Sequence, residues 1–253
     1  MKKKVAEFLG IIPARYASTR FPGKPLAMLG DKPMIQWVYE RASGLFEHLL
    51  VATDDPRIQD AVTRFGGKVV MTSPDHRSGT ERCAEAAGIY EAQNGLKFSH
   101  VVNIQGDEPL IRTEQVRALM DCFKKAGTQI ATLIREISGE EDLKNPNVVK
   151  VVVDRSFRAL YFSRSAIPFV RESGTKQVPR VRFYSHIGLY GFQREVLDQV
   201  VQLPPTNLEQ AESLEQLRWL EHGKSIQTAL TDLPSLGVDT PEDLDRLRKE
   251  AGF

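Results

Sequence analysis

The chain has 253 residues, of which 41% are hydrophobic and 26% charged, and its 34 Lys or Arg against 33 Asp or Glu leave a net charge of +1. That balance excludes a global field able to hold nucleic acid or an anionic membrane surface, so any anion recognition must be local. No apolar run reaches the roughly 20 residues of a membrane span, and the basic start MKKKVAEFLGII carries Glu7 and soon meets Pro13, which reads as a first strand and not a signal peptide.

That first strand (Phe8, Leu9, Ile11, Ile12) breaks at Pro13 into the loop of IIPARYASTRFPGKPL, residues 11–26. Arg15, Ser18, Arg20, Gly23 and Lys24 follow within a few positions, and Pro13, Pro22 and Pro25 stiffen the segment. Arg offers planar bidentate donors, Lys a mobile point charge, and Gly a close backbone approach. Beyond a strand's carboxyl end, this set suits a polyphosphate. It has neither the Walker A nor the G-x-G-x-x-G spacing. The competing reading is a solvated basic loop.

Pro33 opens a helix with Ile35, Val38, Tyr39, Ala42, Leu45 and Phe46 on one face. HLLVAT (48–53) is a strand, Asp55-Pro56 starts a second helix, and KVVMT (68–72) is a third strand. The polar loop 73–80 leads into a helix over about 81–93, with Thr80 as its candidate cap. HVVNIQ (100–105) is a fourth strand, followed by a helix over 113–125. This βαβ rhythm predicts an α/β fold with a mostly parallel central sheet and helices on both faces. Cys83 and Cys122 fall inside helical patterns and are expected to be reduced core residues.

The rhythm breaks near residue 138. Residues 148–162 read as two strands about a turn at Asp154-Arg155, and a polar stretch then runs to about Tyr184. Residues 186–192 form a strand, 208–222 a helix, 225–230 a strand and 241–250 a last helix. The expectation is one domain, 1–253, with an inserted arm at 163–184 that serves as a subunit contact, a lid or a plain surface excursion.

Four constellations carry chemistry. Asp107, in Gln105-Gly106-Asp107-Glu108-Pro109, stands at a strand's carboxyl end, either to hold Mg²⁺ beside a phosphate or to cap a turn. Asp239 reads alone as a helix cap or a nearby turn residue. Paired with Asp107 it becomes a second carboxylate that needs a cation between the two. The loop Asp75 to Arg82, with His76, Arg77, Ser78, Gly79 and Thr80, is dense in donors and acceptors for a base or ribose. Later come Arg164, able to pair with a substrate carboxylate, and His186, Tyr190, Glu215 and Gln216, able to bond hydroxyls. Glu209, Glu212 and Glu215, spaced by three, read as a solvated helix face. His100 and His222 read as surface or strand-edge residues, and no Cys/His spacing suggests zinc.

Taken together, PARYASTRFPGKPL, ATDD, DHRSGTERCAE, NIQGDEP, FSRSAIPF, HIGLYGF, LEQLRWLEHG and GVDTPEDL resemble, in order and over essentially the whole chain, the 3-deoxy-manno-octulosonate (Kdo) cytidylyltransferases. The resemblance implies a nucleotide-diphospho-sugar transferase fold of the glycosyltransferase-A type, a cytoplasmic homodimer, and the reaction CTP + Kdo → CMP-Kdo + pyrophosphate for lipopolysaccharide assembly. It maps Arg15, Ser18, Arg20 and Lys24 to the triphosphate, and Pro13, Ala14, His76, Ser78, Gly79, Thr80, Arg82 and Gln105 to the cytidine region. Asp107 and Asp239 map to Mg²⁺, and Arg164, His186, Tyr190, Glu215 and Gln216 to the sugar. The SRSAIPF segment maps to the dimer contact. In-line attack of the anomeric hydroxyl on the α-phosphorus makes Arg15, Lys24, Asp107 and Asp239 the catalytic set. The rivals are a sister enzyme for 8-amino-Kdo or a sialic acid, and a non-catalytic nucleotide-binding regulator on the same fold.

Overall fold

The computed structural model describes residues 4–171 and 181–251. Of the arm expected at 163–184, residues 172–180 therefore lie outside the described residues. In chain order the elements are β1 (Lys4–Ala14), β2 (Met28–Leu29), β3 (Lys32–Pro33), α1 (Met34–Ser43), β4 (His48–Thr53), α2 (Pro56–Arg64), β5 (Val69–Met71), α3 (Gly79–Asn94), β6 (Leu96–Asn103) and α4 (Thr113–Asp121). There follow β7 (Ile130–Glu136), α5 (Glu140–Lys144), β8 (Lys150–Val153), β9 (Ala159–Ser163), β10 (Tyr184–Gln193), α6 (Arg194–Val200), α7 (Asn207–Glu212), α8 (Glu215–Glu221), β11 (Ile226–Leu230) and α9 (Pro241–Ala251). Two compact units arise, one of Met1–Arg117, Leu189–Val201 and Ser235–Phe253, the other of Ala118–Gly188 and Gln202–Pro234.

In the first unit β5, β4, β1 and β6 lie side by side and parallel. The end of β10 runs antiparallel on β6, with Tyr190 opposite Asn103. Leu9 and Ile11 point to one face of β1 and Ile12 to the other, yet all three are fully buried. Both faces of this sheet are therefore covered, as the alternation of strand and helix predicts. Asp55 caps α2 by accepting from the Arg57 amide at 2.9 Å. The cap of α3 is Ser78, whose Oγ accepts from the Glu81 amide at 3.2 Å. Thr80, the expected cap, sits inside the first turn and is buried. Both cysteines are free and buried. His100 is not at a sheet edge: β6 pairs on both sides at this residue, with Phe8 and with Gln193, and its ring stacks on Phe8 at 4.8 Å.

A satellite core forms from Leu29, Met34, Val238, Leu244 and Leu247, with Phe21, Trp37 and Leu110 against it. Each such side chain contributes about 1.5–3 kcal/mol when taken out of water. Their joint effect is to seat the start of α9 beside the loop after β1.

In the second unit β11 pairs parallel with β7, and β8 pairs antiparallel with β9. The turn between β8 and β9 is built by Asp154, whose Oδ1 accepts from the amides of Ser156 and Arg158 at 2.7 and 2.9 Å. Phe162 and Trp219 are among its largest fully buried side chains. The expected helix over 208–222 is two helices, α7 and α8, broken at Ser213 in the left-handed region (φ 51°). The expected helix over 113–125 stops at Asp121 and tightens into a 3₁₀ turn over Cys122–Lys124. The small hairpin β2–β3 and the short helices α5 and α6 carried too few periodic residues to be read from sequence.

Candidate active site

The first unit holds an open cleft of about 240 Å³ where the loops after β1 and β6, the start of α3 and the start of α9 meet. Pro13, Ala14, Arg15, Ser18, Arg20, Lys24, His76, Ser78, Gly79, Arg82, Gln105, Asp107 and Asp239 all line it. Of the residues expected at the nucleotide and metal, Thr80 alone does not. Pro25, Arg77 and Gly106 line it as well, none of them among the residues assigned to a ligand by the resemblance. Five Arg or Lys side chains among the lining residues face two Asp, an excess of positive charge that matches a polyphosphate.

The loop after β1 is folded around Tyr16. Its carbonyl accepts from the amides of both Ser18 and Gly23 at 2.9 Å. Gly23 has φ 73°, and a Cβ there would stand 3.1 Å from the Tyr16 ring. On that ring lies the Arg57 guanidinium, 3.3 Å from the centroid, itself gripped by Asp55 at 2.9 and 2.7 Å. The loop's cations are thus presented by a fixed frame.

Asp107 and Asp239 are 132 positions apart, yet they meet. The Val238 amide donates to the Asp107 carbonyl at 2.9 Å, so α9 begins beside the end of β6. A Cβ on Gly106 would lie 2.9 Å from the Pro13 carbonyl, so only glycine lets this strand end close on β1. Asp239 is not a helix cap. Thr240 takes that role, accepting from the Asp243 amide at 3.2 Å, while Asp243 accepts from the amides of Asp239 and Thr240 at 3.1 Å. The Asp239 carboxylate is left to meet Arg20 at 3.0 Å and Lys24 at 3.4 Å.

Lys24 is the centre of the arrangement. Its Nζ donates to Asp107 at 2.7 Å and to the Val238 carbonyl at 2.9 Å, besides its contact with Asp239. Two carboxylates and a carbonyl therefore converge on one cation. The neighbouring Glu108 turns into the interior, where burial pushes its pKa up to about 7, against a smaller opposing effect of its Ser235 hydrogen bond.

In the loop before α3, His76 Nε2 lies 2.5 Å from Glu85 Oε2. Burial works to raise the pKa of Glu85, but bonds from His76 and the Ser73 amide outweigh it and hold the carboxyl below its usual range. Arg82 is buried, donating to Thr72 at 2.6 Å and pairing with Asp54 at 3.2 Å. Gly79 and Thr80 open the 16-residue α3, whose N-terminal end faces this cleft through Ser78 and Gly79.

Of the expected sugar residues, Arg164, His186, Glu215 and Gln216 belong to the second unit and Tyr190 to the first. Arg164 donates to three carbonyls, those of Glu212 (2.7 Å), Pro146 (3.1 Å) and Ser213 (3.3 Å). His186 Nε2 is 3.0 Å from Thr132 Oγ1, its ring packs edge-on to Phe162, and burial pushes its pKa down to about 3. Glu215 and Gln216 open α8, and Gln216 is buried. Glu209 and Glu212 are not a solvated face: Glu209 grips Arg218 at 2.7 and 2.5 Å, and Glu212 accepts from Ser163 Oγ at 2.6 Å and the Arg164 amide at 2.9 Å.

Residues 9–226 match the family model described as Cytidylyltransferase. The chain is 52% identical over 245 residues to a 3-deoxy-manno-octulosonate cytidylyltransferase of Parabacteroides distasonis, covering 95% of this chain and 96% of that one. It is 53% identical over 242 residues to the protein of that name from Bacteroides thetaiotaomicron, covering 94% and 95%. A solved CMP:2-keto-3-deoxy-manno-octonic acid synthetase complexed with CTP superposes with a TM-score of 0.86 at 42% identity, covering 98% of this chain and 99% of that one.

Proposed function

The chain belongs to the 3-deoxy-manno-octulosonate cytidylyltransferase family, and from that premise we propose how its residues carry out CTP + Kdo → CMP-Kdo + pyrophosphate. The observation that carries the reading is the meeting of Lys24, Asp107 and Asp239 in a cleft lined by the other loop cations.

The triphosphate lies along the loop after β1, where Arg15, Arg20 and Lys24 pair with its oxygens. The start of α3 adds backbone amides and the positive end of a helix dipole. His76, Ser78, Arg82 and Gln105 hold the cytidine, with His76 oriented by Glu85. The anomeric hydroxyl of the sugar attacks the α-phosphorus. One O–P bond forms, the bond to the β-phosphate oxygen breaks, and pyrophosphate leaves with the electron pair while the hydroxyl proton passes to water. No enzyme nucleophile takes part, so the residues act by alignment and by stabilising charge. Arg15 and Lys24 meet the charge that grows on the leaving pyrophosphate.

The oxygen-only donors that converge on Lys24 Nζ fit a hard divalent cation, and Mg²⁺ typically takes one or two protein carboxylates. Among the described residues no larger cluster of His, Cys, Asp and Glu is gathered for a metal. Asp107 and Asp239 would hold Mg²⁺, which when bound supplies electrostatic activation of the phosphoryl group. Arg164 would pair with the sugar carboxylate, and His186, Tyr190, Glu215 and Gln216 with its hydroxyls. Among the described residues no helix is long and apolar enough to cross a membrane. We take the enzyme to act as a cytoplasmic homodimer, supported on the dimer side by Phe169, 88% exposed in the expected contact segment.

The test is pyrophosphate release with CTP and Mg²⁺, comparing Kdo, its 8-amino analogue and a sialic acid. Selective release with Kdo is expected. Release with another sugar alone would move the specificity, and silence with all three despite CTP binding would overturn the catalytic reading.

A further inference from the structure

Lys150 is a lysine with no exposed surface, which is rare for so strongly hydrated a group. Burial lowers its pKa, the facing Glu212 works to raise it, and the nearby Arg164 to lower it. An ammonium group has three N–H donors, and all three are spent on carbonyls: Asn145 at 2.9 Å, Val148 at 2.7 Å and Arg164 at 2.5 Å. The pairing of β8 with β9, with Lys150 opposite Ser163, already holds the hairpin together. The ammonium adds something different. It ties the backbone of Arg164 to the 145–148 loop, whose Pro146 carbonyl receives the Arg164 guanidinium.

Glu212 grips the same residue from the other side. Its carboxylate accepts from the Arg164 amide and from Ser163 Oγ, and its carbonyl accepts from Arg164 Nε. The break between α7 and α8 makes this possible. With Ser213 in the left-handed region, the carbonyls of Glu212 and Ser213 leave the helical ladder and turn to Arg164. Three carbonyls thus orient a guanidinium that has five N–H donors, which leaves two for an anion.

We propose that Lys150 and Glu212 are positioning residues that set the angle of the Arg164 guanidinium and so the selectivity for an acidic sugar. The proposal rests on the reading that Arg164 meets the sugar carboxylate. Neither side chain needs to touch the sugar; each acts through Arg164.

The experiment is steady-state kinetics of the full-length enzyme with each substrate varied in turn, for Lys150→Met, Glu212→Gln and Arg164→Ala, singly and combined. Lys150→Met and Glu212→Gln should each raise KM for Kdo about tenfold, leave KM for CTP within twofold, and lower kcat by less than KM rises. In the Arg164→Ala background neither should raise KM for Kdo further, because the group they orient is gone. Some loss of Tm is expected for either role; a merely structural role would shift both KM values alike, which would overturn the proposal. If Arg164→Ala raises KM for Kdo while folded Lys150→Met and Glu212→Gln leave it unchanged, the positioning role fails and the reading of Arg164 survives. If Arg164→Ala leaves KM for Kdo unchanged, that reading fails first. Should Lys150→Met not fold, Glu212→Gln decides alone, since it keeps size and one acceptor oxygen for Ser163 while giving up the charge and the acceptor that meets the Arg164 amide.

Discussion

The exposed charges of the cleft in the first unit and the charged groups around Arg164 are held in opposite ways. In the cleft, Arg20 and Asp239 have side chains 65% and 50% exposed, and their partners are other charged side chains. Lys24 leans on two carboxylates that a metal ion would also seek. Around Arg164, by contrast, a fully buried lysine and backbone carbonyls do the holding. Exposed ion pairs contribute little to stability, typically 0–1 kcal/mol, whereas removing one partner of a buried charged group costs several. The cleft is built to exchange partners and the Arg164 nest to keep them. Substitutions should therefore separate: cleft variants lose rate and keep their fold, and second-unit variants lose stability.

The largest effect is expected from Asp107→Asn, which keeps shape and removes the charge. Turnover should fall by at least about 10³-fold, on the scale of losing a preorganised electrostatic group, with Tm within a few degrees of the parent. A variant with near-normal kcat would remove Asp107 from the catalytic set, and a large drop in Tm would break the contrast between the regions.

Next is Lys24→Ala. The Lys24 ammonium lies between Asp107 and Asp239, so its removal should tighten binding of Mn²⁺ to the nucleotide-free enzyme, read by electron paramagnetic resonance or calorimetry. With both substrates present, kcat should fall about 10²-fold, more than the loss in CTP affinity, because the charge it meets develops on pyrophosphate. An unchanged Mn²⁺ affinity would mean that Lys24 and the metal do not compete. An equal loss in kcat and CTP binding would make it a ground-state contact only.

These two residues also mark how far the sequence could be read. Lys24 stood out because Gly, Pro and three cations crowd one strand end, and Asp107 because a carboxylate follows an apolar run. The parallel strands were legible for the same local reason: each is a short apolar run closed by turn residues. What local pattern does not carry is the Val238–Asp107 backbone bond that joins distant segments, or the use of Thr240 in place of Asp239 as the cap. Nor does any Gly or Pro announce the break at Ser213. Glu209, Glu212 and Glu215 fit one helical face, and tertiary bonds to Arg218, Ser163 and Arg164 override that period. Lys150 reads as an ordinary polar position in VVKVVVD, and only the carbonyls around it reveal a buried cation.

The pH dependence of stability tests the fixed region without touching the cleft. His186 titrates near pH 3 in the fold against an ordinary value of 6.5, because burial disfavours the charged ring. Its folded pKa is depressed, so the unfolded chain takes the proton first as pH falls. The stability it contributes is fully present above pH 6.5 and is lost progressively as the pH falls towards 3. By linkage, about 2 kcal/mol should go between pH 7 and pH 5. Urea unfolding at the two pH values, compared with His186→Gln, isolates this part, since other titrating groups cancel in the difference. An identical pH response in both proteins would mean that the ring is not kept neutral by its surroundings.

The smallest effect probes whether the cleft also depends on a fixed frame behind its exposed charges. Arg57 touches no expected substrate group; it lies on Tyr16, whose carbonyl gathers Ser18 and Gly23. A cation over an aromatic ring is worth about 0.5–1 kcal/mol at an exposed site, so Arg57→Ala should raise KM for CTP two- to fivefold and leave kcat within twofold. Asp55 would keep its cap on α2 through the backbone amide of residue 57, which confines the change to the loop. An unchanged KM would mean that the prolines and the Tyr16 carbonyl suffice to shape the loop. A fall in kcat with KM constant would instead place the loop's frame in the transition state, making the cleft as dependent on its scaffold as Arg164 is on Lys150.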